Sequence, residues 1–353
     1  MNIYIWPMRQ ARLKASPEMP VGYYHCISRV VDRAFVLGEE EKDVFTRMMR
    51  EYERFYGVRV VTHCVMSNHF HILLEVPQRP EKLPSDEELL GLMKGIYSKV
   101  MIGTIRQELT MLREAGAVEE AERLRESFFM RMWDVSFFMK SLKQRFTQWY
   151  NRKHGRKGTL WEERFRSVLV EGAGVALATM AAYIDLNPVR AGLVSDPKDY
   201  RWCGYAEAVA GKKEAKRGMA VVVEYLKGKD CRGEAMFSAY RVWLYGQGEE
   251  KGEAEGGGAL KRGFNREQIA EVLEKKGRLS RWEMLRCRVR YFADGAVIGS
   301  RGFVNGVFAA NRERFGPKRK DGARPMRVVE SNALYAMRAL RIIPIAGNKW
   351  TDQ

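Results

Sequence analysis

The stretch VRVVTHCVMSNHFHILLEV, residues 58–76, holds two runs rich in β-branched and apolar side chains, 58–66 and 69–76, separated only by Ser67 and Asn68. Two residues are the length of a tight hairpin turn, so the runs are expected to pair as antiparallel strands. Antiparallel partners retreat from a turn together, which sets Met66 opposite His69, Val65 opposite Phe70 and Cys64 opposite His71. Side chains alternate along a strand, so His69 and His71 share one face and Phe70 points to the other. Two neighbouring imidazoles can grip one cation, with Phe70, Ile72, Leu74 and Val76 fixing the strand against the core. His63 falls on the core side in this register and is a poor third ligand. An HxH pair alone is equally the mark of two exposed histidines on a sheet.

Upstream, GYYHCISRV (22–30) reads as a strand, and Glu39 to Tyr56 as a helix, because Val44, Phe45, Met48, Tyr52 and Phe55 recur at steps of three and four before Gly57 ends the pattern. Downstream, residues 78–134 are charged and rich in methionine and leucine at helical spacing, an insertion between core elements. A helix from about Ser136 to Arg152 follows, then the basic turn NRKHGRKG and a strand, FRSVLVE (165–171). The order β, α, β, β, α, β gives an α+β fold, a ferredoxin-like βαββαβ sheet with helices. One more helix, from Val175 to Asp185 or Leu186, stops before Pro188.

This first unit is expected to span residues 1–210. Residues 211–262 are assigned to a basic, glycine-rich linker, whose clearest part is GQGEEKGEAEGGG (246–258). Residues 263–353 are assigned to a C-terminal helical module, with three helical patterns over 264–315 and Ser280 and Ser300 as N-caps. A DNA-binding module and a packing or dimerisation appendage are equal alternatives for it.

Lysine and arginine number 61 against 44 acidic residues in 353, a net charge of +17, which favours a polyanionic partner, nucleic acid first. The five cysteines form no CxxC pair, against both a zinc ribbon and a disulfide framework, and no run approaches the length of a membrane span. A cytoplasmic, nucleoid-associated protein with no membrane attachment is expected.

In AAYIDLNPVRAGLV (181–194), Tyr183 and Asn187 are four residues apart and lie on one helical face. A carboxamide oxygen could complete a site of two histidines, and a phenol beside it is a potential nucleophile; capping and packing are the structural alternatives. Here the sequence resembles the single-tyrosine HUH transposases, in particular the REP-associated tyrosine transposases. GYYHCISRV is similar to that family's first strand, MSNHFHILLEV to its two-histidine signature, NRKHGRKGTLWEERFRSVLV to its second landmark and YIDLNPVRAGLV to its tyrosine helix. The resemblance covers about residues 20–205 and leaves the C-terminal third unexplained.

The resemblance implies that His69 and His71 bind a divalent ion, Mg2+ or Mn2+, that Asn187 is the third ligand and that Tyr183 attacks DNA. The expected reaction is cleavage and strand transfer of single-stranded or hairpin DNA through a 5′-phosphotyrosine, with a homodimer compatible. Arg152, Lys153, His154, Arg156 and Lys157 in the basic turn are expected to contact backbone phosphates, a solvated loop being the alternative. Trp161 reads as a core aromatic before a base-stacking one, and Tyr150 as a weaker candidate nucleophile. Arg190 is left between phosphate binding and buttressing the helix end. Two other readings compete: an inactive nucleic-acid-binding regulator derived from a transposase, and a metal hydrolase that uses the histidines to activate water.

Overall fold

The computed structural model describes residues 12–172, 174–194, 197–245, 295–325 and 335–338. Its first half runs β1 (Val21–Arg29), α1 (Glu39–Tyr56), β2 (Arg59–Val65), β3 (His69–Pro77), α2 (Asp86–Leu92), α3 (Lys99–Glu114), α4 (Val118–Phe129), α5 (Val135–Lys153) and β4 (Arg166–Val170). The four strands lie in the order β2-β3-β1-β4, every neighbouring pair antiparallel, which is the ferredoxin-like arrangement expected from the element order. α2, α3 and α4 are the helical insertion. Ion pairs of Arg113 and Arg125 with Asp86 and Glu122 tie α2, α3 and α4 together at its surface.

The hairpin register follows from its turn length: Val65 pairs with Phe70 and Cys64 with His71. Further from the turn than the pairs read from the sequence, β2 carries an irregularity between Val60 and Thr62, so that Val61 is an extra residue in the ladder. The sheet is covered on both faces. Phe70 packs on Phe45 of α1 at 4.6 Å between ring centroids and on Trp161 at 5.3 Å, and Phe45 meets Phe146 of α5 at 5.1 Å. α1 ends where Gly57 takes a left-handed conformation, φ 62°, a backbone that glycine adopts without steric cost.

The opposite face is covered by α6 (Val175–Asp185), α8 (Gly204–Val209) and α9 (Lys213–Lys227), with the four-residue α7 (Asn187–Arg190) following α6 and α10 (Gly233–Tyr245) packed on α9. α6 is apolar on every side, VALATMAAYID, and is buried along most of its length, as expected of a helix with no solvent face. α9 and α10 occupy residues assigned to linker from the sequence. Their apolar positions, among them Met219, Val222, Val223, Met236 and Tyr240, are buried, and the glycine-rich run 246–258 lies outside the described residues.

The C-terminal part departs from the helical module expected for it. β5 (Gly295–Gly299) pairs parallel with β4, matching Leu169 with Val297 and Val170 with Ile298, and β7 (Tyr335–Arg338) and β6 (Arg324–Pro325) continue the same sheet antiparallel. The physical reason is at the edge of β4, whose unpaired backbone groups accept a further strand. The run GAVIG is a short apolar segment bounded by glycine, which is strand composition. Of the three helical patterns one lies within the described residues, α11 (Arg301–Ala310), where the Ser300 hydroxyl accepts from the Phe303 amide at 3.2 Å as the N-cap reading requires. The other two, with Ser280, lie outside the described residues. No helix among the described residues is long and apolar enough to cross a membrane.

Candidate active site

β3 presents His69 and His71 to the α6 face, with Phe70 between them fully buried on the other side. The two rings lie 5.1 Å apart at 83°. α6 brings Tyr183 over this strand, its ring 5.9 Å from that of His71 and edge-on to it. The structure therefore gathers His69, His71 and Tyr183, residues from distant parts of the sequence, on one face of the sheet.

The end of α6 that carries Tyr183 is tied to β2, α8 and α10 through Asp185. Asp185, two residues on and fully buried, accepts from Thr62 Oγ1 of β2 at 2.7 Å, from Tyr240 Oη of α10 at 2.6 Å and from the Tyr205 amide at 3.2 Å. Burial raises the Asp185 carboxyl to about 6, against the opposing pull of the Tyr240 and Thr62 hydrogen bonds. Arg190 donates to the Tyr183 carbonyl at 2.9 Å and lies with its guanidinium carbon 4.0 Å from the ring centroid, a cation–π contact. The buttressing reading of Arg190 thus has a structural basis. Tyr183 itself is only 3% exposed.

Asn187 begins α7, directly after the break that Pro188 imposes at Leu186. Its carboxamide nitrogen donates to the Tyr183 and Ile184 carbonyls at 3.2 and 3.3 Å, which satisfies helix-end acceptors and orients the amide. The oxygen is the atom that Asn187 can offer to a cation.

The chemistry of the histidines fits a divalent ion. Each has Nδ1 engaged: His69 Nδ1 lies 2.6 Å from Asn68 Oδ1, and His71 Nδ1 lies 2.9 Å from Nε2 of His25. Burial holds the His71 imidazole well below its ordinary pKa, reinforced by His69, His25, Arg190 and Arg29, so it is neutral, the form in which a histidine donates a lone pair to a metal. Among the described residues no group of three or more His, Cys, Asp or Glu side chains is arranged to hold an ion.

His25 was missed by the sequence reading. It sits in β1 with its ring stacked on His71 at 5.1 Å and edge-on to Tyr183 at 6.0 Å, and it is fully buried. The available signal was a titratable residue inside the otherwise apolar run GYYHCI. What the sequence could not supply is the pairing of β1 with β3, where Ile27 stands opposite His71 and His25 opposite Leu73 on the same face.

The basic turn divides. Lys153 pairs with Glu40 and Glu41 at 2.5 and 2.9 Å, and His154 Nε2 lies 3.1 Å from Glu41, so these two side chains bind the start of α1. Arg152, Arg156 and Lys157 are exposed. The segment after the turn returns beside the histidines: Val30 bridges Trp161, the Glu162 amide donates to the Arg29 carbonyl at 3.0 Å, and Arg29 pairs with His69. Trp161 is a core residue, as read from the sequence, and Tyr150 is buried against His154 and Phe146. Burial raises the Tyr150 phenol above its ordinary pKa, which disfavours it as a nucleophile.

Residues 19–115 match the family model of IS200-like transposases. A solved REP-associated tyrosine transposase bound to a REP hairpin is similar at 14% identity over 54% of this chain and 80% of that one, with a TM-score of 0.34. A candidate transposase from Deinococcus radiodurans R1 is similar at 16% identity over 45% of this chain and 85% of that one, with a TM-score of 0.25. No curated protein matches the chain. The matched residues, well under half of the chain, hold β1, α1 and the histidine hairpin, and over this stretch the chain is similar to IS200-like transposases.

Proposed function

We propose that this protein cuts and rejoins single-stranded or hairpin DNA, with Tyr183 as the nucleophile and His69, His71 and Asn187 as the ligands of a divalent ion. The observation that carries this reading is the convergence of a helix-borne phenol on a pair of neighbouring histidines, in a chain with a net charge of +17. The Tyr183 oxygen attacks a phosphodiester phosphorus; a new P–O bond forms to the phenol as the bond to the 3′ oxygen breaks. The phenol loses its proton, the departing 3′ oxygen gains one, and a 5′-phosphotyrosine remains until a strand end reverses the step. A bound Mg2+ or Mn2+ supplies Lewis-acid charge at the nonbridging phosphate oxygens.

The chain's own residues position the reaction. Asp185 and Arg190 fix the end of α6, Asn187 closes its last carbonyls, and Arg152, Arg156 and Lys157 offer charge to a flexible backbone. Because Tyr183 is buried, the phosphate reaches it only after its side chain or the α6–α7 end moves. The test is a denaturing gel of the protein with a labelled hairpin oligonucleotide and Mn2+. The unaltered chain is expected to give a protein–DNA band that Tyr183→Phe loses while still binding the oligonucleotide. Cleavage without any such band would identify a hydrolase instead.

A further inference from the structure

Both candidate metal-binding histidines are engaged at Nδ1, and the two partners differ in kind. For His69 the partner is Asn68, whose carboxamide nitrogen donates to the Arg33 carbonyl at 3.0 Å. That bond fixes which end of the amide faces the ring, so Asn68 Oδ1 can only accept and His69 Nδ1 carries the proton. The lone pair of His69 is then on Nε2.

For His71 the partner is another imidazole. Between His71 Nδ1 and His25 Nε2, 2.9 Å apart, one proton is shared, and it has two placements. If it belongs to His25, the His71 proton sits on Nε2 and the ring has no lone pair for a cation. If it belongs to His71, then His71 Nε2 is a ligand and His25 accepts, with its own proton on Nδ1. We propose that His25 is a positioning residue that holds His71 in the Nδ1–H form, so that the Nε2 atoms of His69 and His71 are both ligands to one divalent ion. The inference rests on the reading of His69 and His71 as a metal pair and extends it to a residue on a different strand.

The choice of an imidazole has a physical consequence. A carboxylate is the commoner partner of a metal-bound histidine. His25 is fully buried, where a charge would carry a large desolvation cost, whereas a neutral ring accepts the same proton without one. Its stacked orientation, 19° between ring planes, also restricts rotation of the His71 ring.

Two variants of the full chain and one spectroscopic measurement test this. Glutamine can present an oxygen near the position of a histidine Nε2; phenylalanine fills the space and accepts nothing. Mn2+ binding followed by electron paramagnetic resonance should weaken about 10- to 100-fold in His25→Phe and stay within about threefold of the unaltered chain in His25→Gln. A role confined to packing would instead leave Phe as good as Gln. Ring-nitrogen NMR of the unaltered, metal-free protein should show His71 protonated on Nδ1, a readout that stands even if His25→Phe fails to fold. Wild-type Mn2+ affinity in His25→Phe, or a His71 proton on Nε2, would overturn the assignment of His25. Absence of Mn2+ binding by the unaltered chain would overturn the metal pair itself.

Discussion

His63 and His71 are eight residues apart on one hairpin, and burial lowers the proton affinity of both, yet their surroundings differ. His63 is fully buried on the α1 side, and neither of its ring nitrogens has a hydrogen-bond partner among the described residues. Burial lowers its pKa to about 4, partly offset by Glu207 and reinforced by Arg50. In the unfolded chain the same ring takes up a proton near 6.5. The unfolded state therefore binds the proton first as pH falls, and stability is lost between about pH 6.5 and 4, by on the order of 3 kcal/mol at the lower end. Asp185 acts with the opposite sign, since its raised pKa makes stability decline as pH rises through about 4 to 6. Urea unfolding of His63→Leu against the unaltered chain isolates the His63 contribution: the difference should be small at pH 7 and favour the variant increasingly toward pH 4. Equal pH dependence in both would refute it. At this scale the sequence was uneven as a guide. The shared face of His69 and His71 was legible because strand alternation acts within one element, and Tyr183 stood out through the resemblance of its helix, whereas His25 became visible only once β1 lay beside β3.

Elements were read well where local rules set their limits. α1 has the bounds read from its apolar spacing and from Gly57, and α6 stops where Pro188 requires. The hairpin register followed from a two-residue turn. The extra residue at Val61 was illegible, because nothing in RVVTHC distinguishes an irregular ladder from a regular one. Its role is seen from α9. A Cβ placed on Gly218 would lie 2.3 Å from the Val61 carbonyl oxygen and 2.6 Å from that of Val60, so the helix rests on the irregular part of β2 through a residue with no side chain. Gly218→Ala gains helix propensity and loses this contact, and the contact dominates because the obstacle is backbone. Thermal unfolding of this variant should show a loss of about 1–3 kcal/mol. Gly91→Ala, an open site in α2, is the control and should not be destabilised.

For the molecule as a whole, the sheet continues past β4 into segments from the far end of the chain. Glu171 joins the two parts: its amide donates to the Ile298 carbonyl at 2.7 Å, and its carboxylate accepts from the Ser300 hydroxyl at 2.8 Å. Val297, Ile298, Val304 and Phe308 are buried beyond it. A chain ending at Tyr245 should therefore associate with itself more strongly than the full chain, rising with concentration in light scattering, because β4 is left as an open edge. Equal scattering from the two chains would show that β5 is dispensable for solubility. The sequence concealed this arrangement because pairing between distant segments leaves no local trace.

The parallel seam between β4 and β5 also orders events during synthesis. Everything described for the histidine–tyrosine face has emerged by the end of α10, but the strand that closes the sheet edge appears only after a long further stretch has been made. At the usual ~5–20 residues per second, the edge of β4 stays open for several seconds while the site behind it is already able to form. The interval between competence and closure is thus written into the gene order of the strands, and a pause in translation between them would lengthen the time during which the growing protein can pair with a neighbour.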